Sequence, residues 1–291
     1  MIQYADIHTR AQVRQLWKTV FGDSDAYMDI YFREKYRDER TLVYLEDENV
    51  VASLQMLPYN FTFCDTEIPI TYFSGLCTLP QARKKGYMAA LIRRAFAEMA
   101  MRHIPLALLV PQETWLLNFY EKYGFSQTFD AGKEELPSLK TLLDKHSQHM
   151  EEAYREFDSW YRQKDMTVQK TVADFTVIVE EARLFDFPPK KKLIGMARII
   201  DAEKLLSVFS QHYRQKRFSI LVEDAFLADN TAAFTVENGI VEKNTRLLKP
   251  AFHVDVHELA TLLLGYHTAE KEERYSAVFP QKETQMDFML E

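Results

Sequence analysis

The sequence predicts a mixed α/β chain of the α+β kind. It reads as a mixed, mostly antiparallel sheet flanked by helices, then a helical connector, then a second α+β unit. Three observations predict it. Alternating apolar runs crowd residues 42–72. A strand, basic turn, helix, strand, helix sequence fills residues 72–124. Beyond a Pro-Pro kink, an Asn238-Gly239 hairpin signal stands between two helices that each begin at an aspartate.

In chain order, residues 11–20 read as a helix, Gly22-Asp23-Ser24 as a turn, and residues 27–36 as a second helix that Asp23 or Ser24 can cap. Strands are expected at 42–46 and 50–57 around an Asp47-Glu48-Asn49 turn, with further ones at 59–64 and 68–72. Residues 72–79 read as a strand, and a helix runs from Gly86 to about Arg102 with Leu91, Ile92, Ala95, Phe96 and Met99 on one face. Residues 106–110 form a short buried strand. The helix 113–123 ends at Gly124, which can take a left-handed C-cap. The implied βαβα unit contains a parallel strand pair. Residues 131–165 read as helical, and Phe187-Pro188-Pro189 with Lys190–Lys192 as a linker. Asp201 and Asp255 can each cap a helix, the second closed by Gly265. The division this implies is 1–135, 136–190 and 191–291.

A formal charge of −7 argues against a general nucleic-acid surface, which needs a cationic excess to displace counterions. Two cysteines, Cys64 and Cys77, make no disulfide framework, and no Cys/His cluster suggests a metal. The stretch MIQYADIHTRAQVRQLWK lacks the apolar segment of a secretory leader, and no apolar run is long enough to span a bilayer. The expectation is a cytoplasmic protein with no membrane or nucleic-acid partner and no metal. A homo-oligomer is compatible with everything above.

The chemistry concentrates at Arg83-Lys84-Lys85-Gly86-Tyr87-Met88. A diphosphate needs closely spaced backbone N–H donors, a helix N-terminus and nearby cations. This segment supplies all three, and Gly86 lets the backbone approach phosphate oxygens. Taken alone, the basic tetrapeptide reads first as a solvated charged turn; its place between a strand and a helix puts the phosphate reading level with that one.

The run from Leu76, Cys77 and Thr78 through Pro80 to Arg83-Lys84-Lys85-Gly86-Tyr87 resembles motif A of the GNAT superfamily, with Met88 where that motif has Gly or Ala. The resemblance implies that the backbone at Leu76–Thr78 pairs with the pantetheine arm of acetyl-CoA, and that the amides from Arg83 to Met88 hold its pyrophosphate. Downstream, Tyr120-Glu121-Lys122-Tyr123-Gly124-Phe125 resembles the Y-x-x-x-G-F helix ending of the same superfamily. That match implies that Tyr120 protonates the departing thiolate, although a tyrosine on an amphipathic helix otherwise reads as core packing. Cys77 reads as a small packing residue, with no histidine placed to activate it for an acyl-enzyme route.

The C-terminal unit, from Gly195-Met196-Ala197-Arg198 to the helix 256–264, resembles the sterol-carrier-like (SCP2-like) domain of the Eis family. Members of that family carry two GNAT-type domains before it, so residues 131–184 read as remnants of a second one or as a helical replacement. The resemblance offers the C-terminal carboxylate, here that of Glu291, as a candidate base, with a water chain as the alternative. The implied function is transfer of an acetyl group from acetyl-CoA directly to a primary amine of a small-molecule or peptide acceptor. The alternative is a non-catalytic acyl-CoA-binding protein, or a lipid or hydrophobic-ligand carrier acting through the C-terminal unit.

Overall fold

The computed structural model describes residues 1–244 and 249–289. The first elements are strand β1 (Ile2–Tyr4) and helices α1 (Arg10–Phe21) and α2 (Asp25–Glu34). Gly22 ends α1 with φ +75°, and the Ser24 hydroxyl caps α2 by accepting from the Tyr27 amide. Three strands follow: β2 (Thr41–Glu46), β3 (Asn49–Phe63) and β4 (Thr66–Thr78). The sequence divided the last two at Pro58, at Asp65-Thr66-Glu67 and at Tyr72, giving four short strands. Only the second break is real, because Pro58 is exposed and is absorbed in β3 opposite Thr71.

Helix α3 (Tyr87–Met101), β5 (Leu106–Leu109), α4 (Leu116–Glu121) and β6 (Ser126–Phe129) complete the strand–helix alternation. Next come α5 (Leu139–Lys145), α6 (Met150–Ser159), β7 (Thr167–Gln169) and α7 (Val172–Leu184). The middle segment is therefore helical as expected, but it also lends β7 to the sheet, against Asn60–Thr62 of β3.

The strand β8 (Gly195–Ile199) changes the topology most. Grouped by sequence with the C-terminal unit, it hydrogen-bonds between β5 and β6, giving the order β1-β2-β3-β4-β5-β8-β6. Its alternation explains the place: Ala197 and Ile199 face one core layer, while Met196 and Arg198 face the α3 layer, as a strand covered on both faces requires. All neighbours in this sheet are antiparallel except β4 and β5.

A second sheet, β11-β10-β9-β12, contains β9 (Phe218–Glu223), β10 (Ala232–Glu237), β11 (Ile240–Asn244) and β12 (Phe252–Asp255). Asn238 and Gly239 take φ +54° and +83°, the paired left-handed residues of a tight hairpin. Helices α8 (Ala202–His212) and α9 (Val256–Leu263) begin at Asp201 and Asp255, whose carboxylates accept from Lys204 and Glu258 amides. Helix α9 docks the unit onto the first sheet: Ser126 Oγ donates to His257 O at 3.1 Å, and His257 Nδ1 meets Phe125 O at 3.1 Å. No helix among the described residues is long and apolar enough to cross a membrane.

Just after β7, Lys170 is buried with its ammonium 5.5 Å from the Tyr59 ring centre. Burial pushes its pKa down to about 7, against the opposing pull of Asp174 and Asp287. Because the folded value lies below the ordinary 10.5, the unfolded chain binds the extra proton between the two. The penalty is full below about pH 7 and is relieved as pH rises toward 10.5. Lys170→Met should therefore raise Tm at pH 6 by several degrees and flatten the rise in stability between pH 7 and 10. Calorimetric melts across that range check this, and an unchanged slope would refute it. Asp287, which Lys170 helps to keep ionised, offsets part of the gain.

Candidate active site

The site is built on the C-terminal half of β4. Parallel pairing with β5 runs only from Ile70↔Leu106 to Tyr72↔Leu108, whereas β4 continues to Thr78. Pairing stops there, and the β4 edge along Phe73–Thr78, which holds Leu76, Cys77 and Thr78, lies beyond the last paired residue. An open strand edge presents amides and carbonyls to an extended ligand.

On the other side of β4, the register shifts from Gln55↔Ser74 to Ser53↔Cys77, so that Leu54 faces two residues, Gly75 and Leu76. Gly75 has φ +58°, and a Cβ there would stand 2.5 Å from Trp17 Cζ3 and 2.8 Å from Gln55 Nε2. Only glycine fits this bulge. Trp17 is itself pinned, its indole N–H donating to Asp23 at 2.6 Å and its ring 4.5 Å from Tyr31. The Tyr31 hydroxyl lies 2.8 Å from Ser74 Oγ and donates to Gln55 Oε1 at 3.2 Å, a buried polar cluster behind the bulge.

After β4, a short 3-10 turn at Pro80–Ala82 leads into the basic loop. Lys84 and Gly86 both lie in the left-handed region, at φ +63° and +85°. Such alternation curls successive amides toward one point. The first i→i−4 bond of α3 runs from Ala90 N to Gly86 O at 3.0 Å, so the Tyr87, Met88 and Ala89 amides precede its ladder. A Cβ on Gly86 would meet nothing within 4 Å, which leaves the mouth of the loop open.

The side chains divide the work. Arg83 and Lys84 are exposed. Lys85 is drawn to Glu46 at 3.4 Å, and Tyr87 donates to the same carboxylate at 2.6 Å while stacking on Tyr44. These contacts hold Glu46 below the usual carboxylate range. Lys85 and Tyr87 thus brace the loop against β2 and offer a ligand mainly their backbone. Met88 packs its side chain onto the core beneath α3, so the bulky residue at this motif position does not fill the loop.

Tyr120 is buried on α4 with its ring 5.9 Å from Phe125. Burial pushes its hydroxyl well above the ordinary value, with Cys77 and Tyr123 adding to the shift. That influence places the tyrosine within electrostatic reach of the unpaired end of β4, although 43 residues separate it from Cys77. Cys77 is buried, lies 3.2 Å from Ser53 Oγ, and has its thiol pushed up to about 12 by burial, which suits packing and not nucleophilic attack. Gly124 closes the turn at φ +85°, as the sequence suggested.

Glu291 lies outside the described residues. The described end of the chain is buried, with Phe288 against Phe157 and Tyr161. Sequence reasoning missed Gly75, Trp17 and the Tyr31–Ser74–Gln55 cluster. The signal for the first was available: a lone glycine inside an apolar strand marks a bulge or a close approach.

Residues 2–128 match the family model described as an acetyltransferase (GNAT) domain, and residues 203–286 match that of a sterol carrier protein domain. The whole fold is similar to three solved structures. The GCN5-related N-acetyltransferase from Anabaena variabilis ATCC 29413 is 15% identical with a TM-score of 0.67, covering 98% of each chain. Eis1 from Mycobacterium abscessus is 13% identical with a TM-score of 0.66, covering 99% of each. The GCN5-related N-acetyltransferase from Kribbella flavida is 12% identical with a TM-score of 0.68, covering 98% of this chain and 97% of that one. No curated protein matches the chain in sequence. The chain therefore unites a GNAT acetyltransferase domain, residues 2–128, with a sterol carrier protein domain, residues 203–286.

Proposed function

We propose that the protein is an acetyl-CoA-dependent N-acetyltransferase that moves the acetyl group directly to a primary amine of a small-molecule or peptide acceptor. The observation that carries this reading is the open β4 edge running straight into a left-handed, basic loop at the start of a 15-residue helix. The edge suits the two amides of a pantetheine arm, and the loop suits the two charges of a pyrophosphate. Arg83 and Lys84 supply exposed cations, and the amides of Lys85 to Met88 supply fixed donors.

In this reading the amine nitrogen attacks the thioester carbonyl, the carbon–sulfur bond breaks, and the amine gives up a proton. The sulfur leaves as thiolate and takes the hydroxyl proton of Tyr120, which solvent restores. Burial raises the phenol, but it raises the thiol of Cys77 nearby in the same way. A leaving thiolate in that surrounding is made more basic too, so donor and acceptor stay matched. Positioning supplies most of the remaining rate, since the two reactants are held on one strand edge. For the base, Glu291 and a water chain stay as the two proposals. The core between the second sheet and its helices is filled by its own side chains, including Phe218, Ile220, Phe234, Phe252 and Leu259, which speaks against a lipid carrier.

Acetyl-CoA at 100-fold its Kd should stabilise the chain by about 2.7 kcal/mol, read as a rise in Tm. A screen of amine acceptors with free-thiol detection should then find turnover. No shift with acetyl-CoA would sink the proposal.

A further inference from the structure

We infer that the C-terminal unit completes the acetyltransferase site from behind, its Asp224–Asn230 loop acting through Arg198 to hold the turn that carries Tyr120. The inference rests on the reading of Tyr120 as the proton donor and assigns Arg198 and Asp224 as positioning residues for it.

Arg198 lies on β8, fully buried, with its guanidinium 5.3 Å from the Phe96 ring centre of α3. One terminal nitrogen, Nη2, donates to both carboxylate oxygens of Asp224 at 2.8 Å each. Nε and Nη1 have no hydrogen-bond partner among the described residues. A buried cation with two unmatched donors is a costly way to stabilise a fold, and an apolar pair of the same volume would serve at least as well. What the guanidinium does have is a close neighbour. A Cβ at Gly124 would stand 2.7 Å from Nε and 2.8 Å from Cζ, so the turn after α4 rests directly on the guanidinium.

That turn is tied back to the candidate acid. The Tyr123 amide donates to Tyr120 O at 2.9 Å, the Phe125 amide to the same oxygen at 3.4 Å, and Gly124 N to Glu121 O at 2.9 Å. Moving the guanidinium moves Gly124, and through these bonds it moves the backbone of Tyr120.

The other end of the pair is fixed in the C-terminal unit. Asp224 also accepts from the amides of Phe226 at 2.9 Å and Leu227 at 3.1 Å, and from Asn230 Nδ2 at 2.9 Å. Asn230 in turn accepts from Ala202 N at 2.9 Å and donates to Ile199 O at 3.3 Å. The same loop pushes Phe226 into the α3–α4 layer, 5.5 Å from the Tyr123 ring and 5.3 Å from the Arg93 guanidinium. A segment that begins after β9 thus braces both α3 and the turn that ends α4.

The test is a double-mutant cycle in the full chain between Asp224→Asn and Tyr120→Phe, read as kcat and as KM for acetyl-CoA with the acceptor found above. Asp224→Asn alone should lower kcat on the order of tenfold with KM for acetyl-CoA nearly unchanged, as for a reacting group displaced by a fraction of an ångström. In the Y120F background it should lower kcat no further. Should Asp224→Asn not fold, Phe226→Ala, which leaves the ion pair in place, is expected to show the same coupling. Equal losses in both backgrounds would mean a merely structural role and overturn the inference alone. Tyr120→Phe without effect on kcat would overturn the reading of the acid and this inference with it.

Discussion

Tyr120→Phe should lower kcat on the order of 100-fold while leaving acetyl-CoA affinity nearly unchanged, the size expected when a positioned general acid is removed. The substitution deletes one oxygen from a buried ring and keeps its apolar packing. Stability should change little, which separates chemistry from folding. Because the hydroxyl is pushed far above its ordinary value, it stays protonated through the whole working range. The high-pH limb of the kcat profile should therefore reflect some other group. Steady-state kinetics with free-thiol detection checks both points. A rate within twofold of the unaltered enzyme would remove Tyr120 from the mechanism.

Gly75→Ala should be the most damaging of the glycine substitutions along the β4 edge and the basic loop. The added Cβ would stand 2.5 Å from Trp17 and 2.8 Å from Gln55 at φ +58°. The left-handed backbone costs about 1–2 kcal/mol for a residue with a Cβ. Overpacking against a pinned indole costs about 1–3 kcal/mol more. The cheapest relief is to flatten the bulge, which restores regular pairing with β3 but shifts Leu76–Thr78 out of register with the loop beyond. Tm should fall by several degrees, and the stabilisation by acetyl-CoA should largely disappear. Thermal melts with and without acetyl-CoA decide this. A full ligand-induced shift in the variant would show that the bulge does not shape the cofactor edge.

The parts of this molecule that could be read from sequence are those whose signal is local. Ser24, Asp201 and Asp255 were legible as helix caps because a cap needs only its own first turn. The Asn238-Gly239 hairpin and the Gly124 turn were legible because φ above zero selects residue type directly. The basic loop was legible as a phosphate candidate from its place between strand and helix. What escaped depends on distant partners. Gly195–Ile199 has the look of any short apolar strand, and nothing in its five residues says that β5 and β6 stand ready to receive it. Arg198 carries no sequence signal at all: its meaning comes from Gly124 on one side and Asp224 on the other. The side-chain contacts of Lys85 and Tyr87 also escaped, because the Glu46 that holds them lies about forty residues upstream.

The late arrival of β8 has a consequence for how the protein is made. A ribosome delivers β5 and β6 by residue 129, but the strand that joins them is not synthesised until residues 195–199. Until then two strand edges and an unfilled slot stand exposed on the nascent chain, the kind of surface that invites pairing with the wrong neighbour. The first sheet cannot close before residues 195–199 have been made, and closing it brings Arg198 in at the same moment. Closure of the first sheet and docking of the C-terminal unit are thereby linked, because the strand that fills the slot carries the arginine to which the Asp224 loop pairs.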